Sequence, residues 1–469
     1  MSYCGYITTL KNVRPHPNAD RMKLADCFGN TVCVGLNAAE NDVVIYFPTD
    51  GQLSVEYATQ NDLVRRKDEN GNNVGGYLEP DKRNIRAIKL RGEKSDGLTM
   101  PLESLAYTGV DISTLNIGDT ITVVNGHEIC QKYIPKSNHH TRATDGAGNR
   151  TRKRKVPIAP LFAEHADTEQ LAYNLSAFKP GDEIEITLKM HGTSQRTANL
   201  PVFQGYKRTF WDKLFRREGE PIYAWGGVSG TRRVVLDSYD GGFYGSNEFR
   251  EQHSKTFDGK LWKGETIYYE VVGFTHTGTP IMASADNKKI SDKEFMKQYG
   301  KETVFSYGCE PNGLTGDELL KVEVNHEKHD EARIILRPQS DIYVYRITMT
   351  NEDGNVVEYT PDFMRYRCEQ MGVKAVPVLW KGTIPENPGS ANDPTISAGE
   401  WIKLVAERFY DGPDPIGKTH VREGVVVRIL NRPKFAAYKH KNFYFKVLEG
   451  LIKDTAAAPD MEEAQDAVE

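Results

Sequence analysis

Six consecutive residues carry the strongest chemical signal in the chain: Lys189-Met190-His191-Gly192-Thr193-Ser194. They follow a segment in which Glu183, Glu185 and Thr187 alternate with Ile184, Ile186 and Leu188, the period-two pattern of a half-buried strand. The lysine therefore stands where a strand runs out into a glycine-containing turn. Gly192 lets the backbone approach a ligand or adopt a positive φ. A lysine presented in this way is a candidate nucleophile, phosphate clamp or solvated surface charge.

Four later segments narrow the choice. Thr266-Ile267-Tyr268-Tyr269-Glu270-Val271-Val272-Gly273 reads as a strand carrying one carboxylate into a glycine. Asp341-Ile342-Tyr343-Val344-Tyr345-Arg346-Ile347 is an aromatic-rich strand, and Arg422-Glu423-Gly424-Val425-Val426-Val427-Arg428 places a carboxylate and a glycine ahead of a β-branched strand. In Tyr438-Lys439-His440-Lys441-Asn442 two lysines at i and i+2 share one face of a strand.

Each of these types has a use if the ligand is a nucleoside triphosphate. A lysine amine can attack the α-phosphorus and form a phosphoramidate. It must be uncharged to do so; a free lysine has a pKa of about 10.4, and neighbouring cations disfavour its charged form. Lys439 and Lys441 could supply those cations and also neutralise the α-phosphate. Glu423 could hold a divalent metal that offsets charge in the transition state. Tyr345 could stack on a purine, and Glu270 could hydrogen-bond the ribose.

The elements that must position these residues are bounded by length and composition. At 469 residues the chain is expected to form two or three domains, and 38% hydrophobic with 27% charged content suits a soluble protein with a sizeable core. A net charge of −5 argues against wholesale coating of nucleic acid and leaves room for a local basic groove. No apolar run approaches the length of a membrane-spanning helix. The N-terminus lacks a signal pattern, and Cys4, Cys27, Cys33, Cys130, Cys309 and Cys368 form no CxxC pair. A reducing, cytoplasmic setting is expected, without a disulfide framework or a zinc site.

Residues 1–125 read as short strands broken by turns such as Asn70-Gly71-Asn72-Asn73, the pattern of a small β-barrel or sandwich. Candidate strands are Thr31–Leu36, Val43–Phe47, Ile85–Lys89 and Thr120–Val124. Residues 126–160 read as a linker in which Arg150, Arg152, Lys153, Arg154 and Lys155 are either solvated or in contact with nucleic-acid phosphates. Residues 161–450 alternate strands with polar loops and occasional helical patterns such as Ile402–Phe409, which suggests antiparallel sheets with flanking helices. No GxxxxGK[ST] or GxGxxG loop occurs in a strand–helix context. Residues 451–469 end in an acidic tail expected to be disordered.

Two resemblances follow. His16-Pro17-Asn18-Ala19-Asp20-Arg21 resembles a signature of tRNA-binding, OB-like domains; the plainer reading is a tight turn that enters a helix at Asp20. More specifically, the ordered set Lys-x-His-Gly, Glu-x-x-Gly, aromatic strand, Glu-Gly, Lys-x-Lys resembles the covalent nucleotidyltransferases, the polynucleotide ligases and mRNA capping enzymes. The Lys-x-His-Gly-Thr form is closest to ATP-dependent RNA ligases, in particular a subgroup with an N-terminal OB-like domain. The likeness covers residues from about 180 to 450 in patches, with insertions at 205–225 and 275–335.

That resemblance implies an α+β fold with a nucleotidyltransferase domain of antiparallel sheets. It implies an enzyme that uses ATP and magnesium or manganese to join RNA ends, sealing nicks in duplexes in RNA repair, with RNA as partner, no membrane and a monomeric state. Lys189 would accept AMP, with His191 and Gly192 completing the first motif. Glu270 would contact ribose, Tyr345 would stack on adenine, Glu423 would hold metal, and Lys439 and Lys441 would contact the α-phosphate. Arg232 is the first choice for an arginine on the ribose or 5′-phosphate, ahead of Arg233 and Arg208. Arg346 stands where the family commonly has aspartate. The rivals are a DNA ligase, a capping guanylyltransferase, and a non-catalytic RNA-binding protein on the same fold.

Overall fold

The computed structural model describes residues 3–71, 73–134, 156–165, 168–215, 219–236, 239, 247–273, 275, 281–282, 293–299, 340–389, 395–416 and 421–454. The basic run 150–155, most of the 275–335 insertion, Cys309 and residues 455–469 of the acidic tail lie outside the described residues, whereas 451–454, expected to be disordered, end a helix. The chain is of mixed α+β class and divides into two compact units. One comprises Met1–Pro135, Ala285–Lys301 and Asn442–Thr455, the other Lys136–Ser284, Glu302–Lys441 and Ala456–Glu469. No helix among the described residues is long and apolar enough to cross a membrane. The five described cysteines are all free thiols.

The first unit is built from small antiparallel sheets. Four strands run in the order Leu98–Pro101, Val43–Phe47, Gly5–Thr9, Thr120–Ile121, and three more in the order Lys11–Pro15, Lys23–Cys27, Asn30–Val34. Ile7, Ile45, Phe47, Leu53, Leu105 and Ile129 form the centre of its core. The chain does not enter a helix at Asp20. After a turn it continues as the strand Lys23–Cys27, because that segment pairs on both sides and buries Leu24, Ala25 and Cys27. The His16 ring serves this turn: Nδ1 accepts from the Asn18 amide at 3.1 Å, which leaves Nε2 to donate to the Leu90 carbonyl at 3.1 Å. The helix Phe443–Asp454, capped by Asn442 Oδ1 on the Tyr444 amide (2.7 Å), packs in this unit. Lys446 pairs with Asp96, and the Tyr444 ring lies 4.9 Å from that of Phe295. The sequence reading carries the second domain on to residue 450, whereas these contacts group the helix with the first unit.

The second unit contains strands β1 (Glu169–Gln170), β2 (Glu183–Leu188), β3 (Thr193–Lys207), β4 (Glu220–Gly230), β5 (Val235–Leu236), β6 (Glu265–Gly273), β7 (Ser340–Thr350), β8 (Val356–Glu358), β9 (Lys374–Ala375), β10 (Val378–Thr383), β11 (Gly424–Ile429) and β12 (Ala436–Lys441). Its α-helices among the described residues are α1 (Phe210–Leu214), α2 (Glu248–Lys255), α3 (Pro361–Met371) and α4 (Ala398–Glu407). One sheet has the order β1-β12-β11-β2-β10; the other has the order β5-β4-β3-β6-β7-β8, with β9 beside β7. The β1–β12 and β7–β9 pairs are parallel and the other pairs antiparallel.

Helix α4 starts with a full capping box, Ser397 and Glu400 exchanging side-chain-to-backbone bonds. It buries Ile402 and Ala406 against Ile184, Ile186, Val425 and Val427 of the first sheet. The second sheet packs Ile267, Tyr269 and Ile347 on Phe249 and Met364. β2 keeps its period of two, but its polar face is not solvated throughout. Glu185 is buried, because Arg365 of α3 reaches it at 2.8 Å.

The most enclosed charge pair among the described residues of this unit ties α3 to β6. Arg367 Nε and Nη2 donate to the two Glu265 oxygens at 2.8 and 2.7 Å, and the guanidinium lies 3.9 Å from the Trp262 ring centroid. Both side chains are buried, so removing one partner leaves a buried charge without its counter-charge. Arg367→Met is expected to destabilise the fold by about 3–5 kcal/mol. The double change Arg367→Met with Glu265→Leu should recover most of that loss. Urea denaturation of the three proteins measures both.

Candidate active site

The sheet register brings three strand ends to one place. β11 lies between β2 and β12, with Leu188 opposite Val425 and Gly424 opposite Lys441. The end of β2, the start of β11 and the end of β12 therefore coincide. The Lys189 amide donates to the Gly424 carbonyl at 3.0 Å, which extends the ladder by one bond past β2. Gly424 has φ +148°, and a Cβ there would collide with the His440 carbonyl oxygen. A side chain at this position would separate the two strands.

Glu423 is the centre of the site. It is 3% exposed, and its Oε1 lies 2.6 Å from Lys189 Nζ and 3.6 Å from Lys441 Nζ. Its Oε2 lies 3.1 Å from His191 Nδ1. A carboxylate only accepts, so His191 carries its proton on Nδ1 in this contact. Burial pushes the Glu423 carboxyl up, but Lys189, Lys441 and His191 outweigh it and hold the group well below the usual carboxylate range. Met190 alternates away from its neighbours and joins Leu188, Val272 and Tyr343 in a small core. This is how Lys189 and His191 come to share a side.

The turn after Lys189 is pressed against β6. A Cβ on Gly192 would collide with the Val271 carbonyl oxygen and lie 2.9 Å from Glu270 Cγ, so glycine sets how near Glu270 comes to the lysine segment. Glu270 is registered between Ser194 and Tyr343. Buried Arg250 of α2 clamps the same segment from behind. It donates to Thr193 Oγ1 at 2.6 Å and to the Ser194 carbonyl at 3.1 Å, while Gln195 Nε2 donates to the Arg250 carbonyl at 2.9 Å.

Tyr345 occupies a β-bulge. The β6–β7 register passes from Tyr268↔Arg346 to Tyr269↔Val344, which leaves Tyr345 as the additional residue. Bulges re-aim a side chain. Here the Tyr345 hydroxyl lies 2.9 Å from Ser194 Oγ and its ring 5.3 Å from that of His165.

Arg346, at the position where aspartate is common in the resembled family, finds its carboxylate on the next strand. Its Nε donates to Glu358 of β8 at 2.9 Å. Its guanidinium lies over the Tyr268 and Phe435 rings at 4.7 and 4.6 Å, and its Nη1 lies 3.1 Å from His165 Nδ1. Burial, then Arg346, Arg232 and Arg196, drive the His165 pKa well below 6.5, so the ring is neutral and accepts from Arg346.

The site residues expected from sequence thus fall into groups. Lys189, His191, Glu423 and Lys441 are in mutual contact through one carboxylate. Gly192 and Glu270 meet at the seam between the sheets, and Tyr345 reaches Ser194. Lys439 is registered with Val426 on the face of β12 that also carries Lys441. The Arg232 carbonyl accepts from the His165 amide at 3.1 Å, and Arg233 is exposed. Arg208 stands beyond the far end of β3, about 50 Å of strand from Thr193.

Among the described residues no group of three or more His, Cys, Asp or Glu side chains could enclose a metal. An ionised Glu423 offers one anionic ligand, which suits a hard cation that takes its other ligands from water or phosphate oxygens. Sequence reasoning missed Arg250, His165 and Glu358, which hold the site residues from behind. Arg250 sits in the polar segment Glu248–Lys255, which has no pattern to distinguish it from a surface helix.

Helix α2 also carries a pH-sensitive anchor. His253 Nε2 lies 2.7 Å from Ser340 Oγ. Burial, partly offset by Asp341 and reinforced by Arg250, lowers its pKa from 6.5 to about 4. A depressed histidine favours the folded state when neutral, so its contribution is full above pH 6.5 and is lost as the pH falls towards 4. At about 1.36 kcal/mol per unit, roughly 3 kcal/mol is lost over that window. His253→Gln should flatten the decline, as read from urea transitions measured between pH 7 and 4.

No protein-family model matches the chain, and no curated protein matches it. Among solved structures it is similar to an RNA ligase of Naegleria gruberi in several forms. A mutant with ATP and manganese is 15% identical, with a TM-score of 0.52 over 95% of this chain and 97% of that one. A mutant with AMP and manganese gives 15% and 0.52 over 94% and 97%. A mutant without ligand gives 15% and 0.53 over 94% and 97%. At this identity the likeness is one of fold: the chain has a fold similar to that of an RNA ligase along nearly its whole length.

Proposed function

We propose that this protein is an ATP-dependent RNA ligase that joins a 3′-hydroxyl to a 5′-phosphate at nicks in RNA repair. The observation that carries the reading is the meeting of Lys189, His191 and Lys441 on the buried Glu423 carboxylate. It is supported by a fold similar to that of an RNA ligase known in forms with ATP, with AMP and with pyrophosphate.

In the first step the Lys189 Nζ lone pair attacks the α-phosphorus of ATP. The phosphorus–nitrogen bond forms, the bond to the bridging oxygen breaks, and pyrophosphate leaves with that electron pair. Attack needs a free lone pair, so the Lys189–Glu423 contact must open and Nζ must lose a proton to solvent. Lys441 and Lys439 neutralise the α-phosphate as charge builds on its oxygens. Tyr345 stacks on adenine, Glu270 binds the ribose, and His191 and Gly192 shape the pocket around the lysine. Arg232 contacts the ribose or the 5′-phosphate. A magnesium or manganese ion held by Glu423 would offset the charge of the polyphosphate.

In the second step an oxygen of the RNA 5′-phosphate attacks the same phosphorus and frees Lys189. In the third, the 3′-hydroxyl attacks the activated 5′-phosphate, closes the phosphodiester and releases AMP. The first unit, as an OB-like nucleic-acid-binding domain, and the basic run Arg150–Lys155 hold the RNA backbone, which gives affinity without base choice. The protein is expected to work as a cytoplasmic monomer.

Mass spectrometry of the purified protein after incubation with ATP and a divalent metal tests the first step. The expected result is a mass gain of one AMP on Lys189. Lys189→Ala should take up none, and a variant that still retained the adduct would overturn the nucleophile assignment. Lys441→Ala should slow adduct formation by about 100-fold. A covalent adduct from GTP instead of ATP would favour a capping enzyme. Nicked duplexes ending in RNA or DNA 3′-hydroxyls separate an RNA from a DNA ligase.

A further inference from the structure

The β3–β4 hairpin carries an aromatic tip that the proposed chemistry leaves unused. β3 begins at Thr193 beside the site and pairs with β4 from Arg196↔Gly230 to Lys207↔Glu220 before the chain turns through α1. At this end Phe210, Trp211, Leu214 and Phe215 are 73, 63, 59 and 60% exposed. Large apolar side chains clustered so tightly in water mark a contact surface.

The rings are ordered. Trp211 and Phe215 stack with 16° between planes and centroids 6.1 Å apart, and Phe210 meets Trp211 edge-on at 5.7 Å. Asp212 accepts from the Thr209 amide at 2.9 Å and from its hydroxyl at 2.6 Å, which closes the turn that sets the rings. A second group follows on the same hairpin towards the sheet: the Phe203 ring lies 5.1 Å from Tyr206 and 5.9 Å from Tyr223. In sequence Lys207, Arg208, Lys213, Arg216 and Arg217 stand against Asp212 and Glu218. This stretch is therefore locally cationic in a chain whose net charge is −5.

Flat apolar faces beside lysine and arginine match a polyanion with unstacked rings of its own. Each base offers a π-face, so such a surface binds single strands with little sequence choice. A membrane surface would also take cations and aromatics, but it is served by one apolar cap. Here rings continue along the hairpin in the direction of the site, and three of the four exposed side chains are aromatic. We infer that Phe210, Trp211 and Phe215, with Lys207 and Arg208, bind unpaired bases of a single-stranded RNA segment flanking the ends to be joined. The identity of the nucleic acid rests on the ligase reading above.

The test uses the full-length protein and a fluorescein-labelled single-stranded RNA of about 12 nucleotides, followed by anisotropy. The double variant Trp211→Ala, Phe215→Ala should bind roughly 10- to 100-fold more weakly, with AMP uptake from ATP unchanged. Trp211→Phe should restore binding. Lys207→Gln with Arg208→Gln should lower the slope of log affinity against log salt by about 1.4. Equal RNA affinity in the parent and the double aromatic variant would overturn the inference. So would Trp211-dependent sedimentation with phosphatidylserine vesicles together with RNA binding that ignores Trp211. If the parent protein takes up no AMP, the ligase reading fails, while the anisotropy result still decides what the tip binds.

Discussion

A carboxylate removed from water must be matched by donors and cations, or it costs the fold several kcal/mol. Glu423 meets that constraint by drawing in Lys189, His191 and Lys441. These come from the end of β2, the turn beyond it and the end of β12, so one buried anion organises side chains far apart in the chain. The pairing also sets the resting state of the lysine. Its nitrogen is engaged with Glu423, and the proposed reaction requires that this contact first be exchanged for one with substrate.

Two close approaches keep this cluster in register. Gly424 lets β12 come near enough for Lys441 to reach Glu423, and Gly192 lets the lysine turn lie against β6. Behind them Arg250 secures Thr193 and Ser194, so the segment carrying the lysine is held on both sides. The bulge at Tyr345 belongs to the same design. By interrupting the β6–β7 register, it directs one ring towards the lysine segment while its neighbours Val344 and Arg346 remain paired.

Arg346 shows how the fold absorbs a departure from the resembled family. The guanidinium is compensated by Glu358 across the β7–β8 pair and is flanked by the faces of Tyr268 and Phe435. His165 completes the cluster in neutral form because burial first, and then the surrounding arginines, disfavour its protonation. Charge at this end of the second sheet is settled within the protein, whereas the cationic and aromatic tip of the β3–β4 hairpin remains turned to solvent. The first unit stands apart in character: short strands, a small core, and a His16 side chain committed to holding a turn.

Much of this was readable along the chain, because period-two alternation and glycine placement act over a few residues. The strand Val43–Phe47, the strand before Lys189, the lysines alternating on one strand and the acidic–glycine start of β11 all follow from local pattern. The helix that the plainer of two readings placed at Asp20 did not form, because the segment pairs as a strand on both sides. Residues whose task is to compensate a buried charge left no local mark. Arg250, Glu358 and His165 are distant in sequence from what they support, and Glu185 reads as a solvated strand residue until α3 delivers Arg365. The sequence alone determined which chemistry the chain could carry, since residue type and order are properties of the chain. Only the tertiary structure decided which charges neutralise one another, because that depends on burial and register, which exist only once the sheets have formed.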